Sequence, residues 1–157
     1  MNPVVMRQLT LQDLPYLERT FPEPETGSHS RRLSSQERGF ISYLCAEVDG
    51  VIAGIILVRW RGPVDSLHLK LSTFPEIGSV FVLPEYRSRG LGKQLLNYAE
   101  SQIQQKSFKG AGLLIKDNNS ISIALHLKEG YVPVGAAQYG KRDPDEPRTY
   151  YTKVFSK

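Results

Sequence analysis

The chain has 157 residues, of which 40% are hydrophobic and 23% charged, with 20 Lys and Arg against 16 Asp and Glu for a net charge of +4. That length suits a single domain with a full core, and no apolar run approaches the roughly 20 residues that span a bilayer. The mild basic balance suits a polyanionic small ligand as well as nucleic acid. The densest basic stretches, RGPVDSLHLK and YRSRGLGK, do not interleave aromatics as a single-strand binding surface would, so neither nucleic acid nor membrane is expected as a partner. The opening residues, MNPVVMRQLT, lack the basic-then-apolar pattern of a signal peptide. A single cysteine, Cys45, cannot close an internal disulfide. Both features fit a reducing, cytoplasmic setting.

In chain order, Val4–Gln8 is a short β-branched run that reads as a strand. Thr10 with Asp13 resembles a capping box, and Leu11, Leu14 and Leu17 continue it as a helical stripe. Residues 21–34 are rich in Pro, Ser and charge and read as a mobile loop. Ser34 with Glu37 is a second capping signal, opening a short helix that Gly39 ends. Residues 41–48 and 51–58 form a hairpin about Asp49-Gly50, the pair favoured where a two-residue turn needs positive φ. VIAGIILV is apolar on both faces and so belongs inside a covered sheet. Residues 59–74 read as a loop with an indefinite strand, and 77–82 as a strand ended by Pro84. From Leu91 the period turns helical, with Leu91, Leu95, Ala99 and Ile103 in one stripe. Residues 110–116 are a buried strand, 119–128 a helix closed by Gly130, and 131–134 and 149–155 the last strands. The order β-α-α-β-β-β-α-β-α-β-β predicts an α/β fold with a mixed sheet, not a purely alternating doubly wound one.

The chemistry concentrates in residues 82–96, VLPEYRSRGLGKQLL. A strand there turns into a helix, whose N-terminus carries unpaired amides and about half a positive charge. Gly90 and Gly92 lack Cβ atoms, so a phosphate can approach the backbone closely, while Arg87, Arg89 and Lys93 surround that approach with charge. A Walker A loop would need glycine at 87 and Ser or Thr at 94, where the chain has Arg87 and Gln94. A dinucleotide fingerprint starting at Gly90 would need glycine or alanine at the position of Leu95. Glycines that merely shape a helix start are the plain alternative.

The hexad Arg87-x-x-Gly90-x-Gly92, preceded by Val82-x-Pro84, resembles the coenzyme A pyrophosphate motif of the GNAT superfamily of N-acetyltransferases, and the element order matches that family along essentially the whole chain. The resemblance implies a single N-acetyltransferase domain over residues 1–157 that uses acetyl-CoA. Its sheet would be mostly antiparallel with six to seven strands, helices on both faces, and a V-shaped cofactor cleft between the fourth and fifth strands. Backbone amides of Ser88, Arg89, Gly90, Leu91, Gly92 and Lys93 would hold the pyrophosphate. The strand edge at Val80, Phe81 and Val82 would pair with the pantetheine arm. A second family motif falls on Asn119, Ser122, Leu125, His126, Gly130 and Tyr131, with Asn119 implied on the pantetheine side or as a plain N-cap. At His126 the family usually carries a tyrosine that protonates the leaving thiolate. An imidazole can donate a proton, but it is shorter, and Tyr139, Tyr150, Tyr151 or water are alternatives.

Glu76, fourteen residues before Gly90, stands where several family members carry a glutamate base, and an amine becomes a nucleophile only on losing a proton. A solvated carboxylate before a strand is its plain reading. Cys45 lies in an apolar strand with no histidine near in sequence, which favours direct amine attack in a ternary complex over an acyl-enzyme. His29, His68 and His126 are scattered, so no metal is expected. The acceptor would enter between residues 21–34 and 139–148, whose Glu23, Glu25, His29, Arg31, Arg32, Asp143, Asp145 and Glu146 mix both signs of charge. Such a mix would suit a zwitterionic substrate or a peptide end, though any two polar loops look the same; the expected acceptor is a small-molecule or peptide amine. A non-catalytic acyl-CoA sensor is the alternative function, and edge-strand pairing into a homodimer stays open.

Overall fold

A computed structural model describes residues 3–62, 74–136 and 146–156. The order is β1 (Val4–Gln8), a 3-10 turn, α1 (Leu14–Thr20), α2 (Ser28–Glu37), β2 (Ile41–Val48), β3 (Val51–Arg59), β4 (Glu76–Val82), α3 (Leu91–Gln105), β5 (Gly110–Lys116), α4 (Ser120–Lys128), β6 (Val132–Ala136) and β7 (Arg148–Val154). The strands form one seven-stranded sheet in the order β1-β2-β3-β4-β5-β7-β6. β4 and β5 are parallel, and the ladders β1-β2, β2-β3, β5-β7 and β6-β7 are antiparallel. This is the mixed sheet and element order expected of the sequence. By contacts the chain divides into two compact units, Met1–Trp60 with Ser79–Ala99, and Arg61–Gly78 with Glu100–Lys157.

In the first unit, Asp49 (φ 53°) and Gly50 (φ 77°) turn β2 into β3 as the hairpin signal requires. Both strands are buried on two faces. One face carries Tyr43, Cys45, Ile55 and Leu57 in a cluster with Leu17 of α1, Phe21 and Leu33 of α2. The other carries Gly54, where a Cβ would stand 2.8 Å from the Leu95 side chain of α3. Double-sided cover explains why VIAGIILV is apolar throughout rather than alternating. Cys45 is fully buried, and burial pushes its thiol up to about 12.

The expectation of a loop over residues 21–34 is corrected. α2 begins at Ser28, after Gly27 takes the N-cap position at φ 83°. The sequence concealed this because SHSRRLSS offers the core a narrow stripe, of which Ser28, His29 and Leu33 are buried.

In the second unit, β5 lies between β4 and β7, pairing Glu76↔Gly112 and Ile77↔Leu113 on one side and residues 110–116 with 148–154 on the other. α4 ends at Gly130 (φ 98°). The Tyr131 amide there donates to the His126 carbonyl (2.9 Å) and the Gly130 amide to that of Leu127 (3.2 Å). Only a residue free to take the left-handed conformation closes this double bond cheaply, and the turn delivers Tyr131 into the core at 1% exposure.

Candidate functional site

The turn at the head of α3 is built from the first unit. Leu83 holds its start, donating its amide to Ala53 of β3 (2.9 Å). Ser88 (φ 64°) and Gly90 (φ 80°) then alternate with ordinary residues in the left-handed region, a geometry that turns successive amides to one side. Residues 87–90 are exposed. The first helical bond runs from Gln94 to the Gly90 carbonyl (3.1 Å), so the amides of Leu91 and Gly92 have no intrahelical acceptor.

Gly92 is informative. It sits inside α3 at ordinary φ, and among the described residues a Cβ built on it meets no atom within 4 Å beyond its own helix backbone; the same open space faces Gly90. Alanine at 92 would favour the helix by roughly 0.5–1 kcal/mol, so no packing contact among the described residues accounts for glycine there. Open space beside unpaired amides is an arrangement at which a helix N-terminus can receive an anion.

Two arginines flank the turn. Arg87 donates through Nε to the Val82 carbonyl (2.9 Å) and lies 5.2 Å over the Phe81 ring; Arg89 lies 5.4 Å over Tyr86. Stacking holds these guanidinium groups without neutralising them. Val80 on β4 is exposed, Phe81 and Val82 half-buried. Ser79, just before them, is at φ 53°, which interrupts regular strand geometry at a cost of about 1 kcal/mol or more.

The other expected residues lie in the second unit. Glu76 opens β4 and is buried at 1% exposure. Its ladder partner Gly112 has no room for a side chain, because a Cβ would collide with the Tyr150 hydroxyl. That hydroxyl is buried without a hydrogen-bond partner among the described residues. Burial first, and then the charge of Glu76, push the phenol well above its ordinary range. Tyr150 is therefore a neutral phenol facing a carboxylate's field. Tyr139 lies outside the described residues.

Asn119 caps α4, its side-chain oxygen accepting from the Ser122 amide (3.1 Å). His126 is 5% exposed, edge-on to Tyr131 at 5.5 Å. Its Nδ1 is 2.7 Å from the Ser122 carbonyl oxygen, which can only accept, so Nδ1 carries the hydrogen and Nε2 is the bare nitrogen. Burial lowers its pKa, opposed by the bond to Ser122. Beneath it, Glu100 accepts from the Tyr131 hydroxyl (2.7 Å) and from Lys153 Nζ (2.9 Å), a buried polar cluster that no sequence motif announced. Among the described residues no group of three or more His, Cys, Asp or Glu could hold a metal, and no helix is long and apolar enough to cross a membrane.

A mixed seven-stranded sheet with a parallel β4-β5 pair, and a glycine turn between its fourth strand and third helix, defines an acyl-transferase type of fold. The family model of the acetyltransferase (GNAT) family matches residues 6–131, and the chain belongs to that family. Among solved structures it is similar to the PaiA N-acetyltransferase of Thermoplasma acidophilum in complex with coenzyme A, at 19% identity and TM-score 0.72 over 98% of this chain and 99% of that one. The ribosomal-protein-alanine N-acetyltransferase of Brucella melitensis gives 21% and 0.75 over 96% and 99%. An Arabidopsis thaliana protein in complex with the bisubstrate analogue CoA-Ac-MVNAL gives 18% and 0.72 over 97% and 99%. At these identities the likeness is one of fold.

Proposed function

We propose that this chain, as one N-acetyltransferase domain over residues 1–157, transfers the acetyl group of acetyl-CoA to a primary amine by direct attack. The observation that carries the reading is Gly92, a helical glycine whose missing side chain faces open space at an arginine-flanked helix N-terminus. In this reading the amides of residues 88–93 receive the pyrophosphate, Arg87, Arg89 and Lys93 balance its charge, and the exposed edge at Val80, Phe81 and Val82 lies along the pantetheine arm, with Asn119 also on the pantetheine side. The coenzyme supplies an acyl group activated as a thioester. The complexes of the Thermoplasma and Arabidopsis proteins with coenzyme A and its bisubstrate analogue support that choice, and the latter also supports an amine on a peptide.

Glu76 is the proposed base, taking the amine proton as the new bond forms. Its buried start of β4, four residues before Val80 on the same strand, supports this role. His126 holds the position of the acid. With Nδ1 fixed on Ser122, only Nε2 is left to carry a proton, and its lowered pKa means it does so only after being protonated. This weak fit favours a second reading, a CoA-binding sensor without turnover.

Thiol release from acetyl-CoA against an amine panel separates the two. Turnover with at least one amine, reduced about 100-fold or more in Glu76→Gln at unchanged CoA affinity, is expected. Tight CoA binding with no turnover on any amine would establish the sensor instead.

A further inference from the structure

A second basic site lies in the first unit, away from the glycine turn in sequence. α2 contributes Ser28, Arg31, Arg32 and Ser35, and β3 contributes Arg59, to the walls of a recess of about 240 Å³. Ile41 and Leu57 supply its apolar surface. Three arginine side chains thus line one small concavity and give it a basic wall.

Arg32 is held in place by a directed chain of hydrogen bonds. His29, fully buried, has Nε2 3.2 Å from the Phe21 carbonyl, so Nε2 donates there and Nδ1 accepts from the Tyr43 hydroxyl at 2.7 Å. The Tyr43 oxygen then accepts from Arg32 Nη1 (3.1 Å), and the Tyr43 ring stacks under the guanidinium at 5.4 Å. Nη2 of Arg32 donates to Ser79 Oγ (3.0 Å) on β4. Every one of these partners is neutral, and among the described residues no carboxylate pairs with Arg32. Glu23, which acts electrically on Tyr43, is engaged by the amides of Gly27 and His29. Arg31 in contrast reaches Glu25 at 3.5 Å, an exposed and weak pair.

Arg32 thus combines fixed geometry, uncompensated charge and a contact with Ser79, the residue beside the strand edge assigned to the pantetheine arm. We propose that this recess receives a carboxylate of the acceptor, so that the substrate is an amine bearing an acid group, either a free amino acid or a peptide with an acidic residue near its amine. The inference rests on the acetyl-transfer reading. Arg32 is the specificity-determining residue, its planar fork matching a carboxylate in a way that a lysine's point charge does not.

The test uses matched acceptors differing only in charge: glutamate against glutamine, and a glutamate-bearing dipeptide against its glutamine counterpart. The unmodified protein should show kcat/KM at least about tenfold higher for the acid member of one pair, and the pair that does so separates free amino acid from peptide. Arg32→Gln should bring that ratio within about twofold while CoA affinity holds, and Arg32→Lys should fall between. If Arg32→Gln does not fold, the Arg32→Lys ratio decides. Equal rates for both members, or an undiminished ratio in the variant, overturn the proposal. Absence of thiol release with every acceptor overturns the acetyl-transfer reading, and calorimetry of the acidic dipeptide then decides the recess. Binding lost in Arg32→Gln sustains it; no binding overturns it.

Discussion

Gly92 of α3 and Gly112 of β5 both sit inside regular structure at ordinary φ, and their surroundings are opposite. At 112 the space for a side chain is filled by Tyr150 of the same unit; at 92 it is empty. Packing explains the first glycine completely, and the ordinary cost of glycine in an ordered element is repaid there by the contact. Among the described residues no contact repays the second. The difference separates a glycine that packing requires from one that packing leaves unexplained, and the proposed coenzyme site rests on the second.

The largest expected effect falls on the packed glycine. Gly112→Ala drives a methyl group into the Tyr150 hydroxyl and should cost about 3 kcal/mol of stability or prevent folding, read as a drop in Tm. Adding Tyr150→Phe should return part of that loss. Since the hydroxyl has no hydrogen-bond partner among the described residues, Tyr150→Phe alone should be near neutral. Strict additivity of the two would break the packing account.

Next comes the ligand turn. Gly90→Val forces a β-branched residue to φ 80° and fills the approach to the amides, so CoA affinity by calorimetry should fall about 100-fold or more. Gly92→Ala sharpens the comparison because its two readouts should move in opposite directions. Stability should rise by roughly 0.5–1 kcal/mol, while CoA affinity falls. A variant that gains stability and binds CoA as before would remove the reason for assigning the turn to a ligand.

The smallest effect is a pH dependence. Burial holds the folded pKa of His126 below its ordinary 6.5. As pH falls below that value the unfolded chain takes a proton there that the folded chain resists, so stability drops toward acid. His126→Phe should flatten the decline of Tm between pH 7 and pH 5. An unchanged slope would mean that the ring is not dehydrated as its position against Tyr131 implies.

How much of this could be read from the sequence depends on the distance between the residues that act together. Asp49-Gly50 predicts its turn because both signals are adjacent, and the Gly90 and Gly92 turn is legible for the same reason. Asn119 was legible as a cap. The start of α2 was not, because Gly27 at an N-cap and a stripe of only Ser28, His29 and Leu33 look like a polar loop. The Arg32 contacts were hidden more deeply. Tyr43 is 11 residues away and Ser79 is 47, and no period or motif links an arginine to a strand residue bent into the left-handed region. Glu100, Tyr131 and Lys153 are a similar case. Each looks ordinary alone, and only the fold makes one buried acid serve two donors. The open space at Gly92 is equally invisible in sequence, where every glycine reads alike.

Cys45, enclosed between β-strands with its thiol held near 12, has a practical consequence for the measurements above. A disulfide reagent at neutral pH meets no thiolate on the folded protein. In a thiol-release assay the background is therefore that of the solution, and slow acceptors can be followed over long incubations. The same reagent becomes a probe of integrity. One equivalent of protein thiol appearing in a variant reports that the sheet has opened, so a single colour change distinguishes a dead enzyme from an unfolded one.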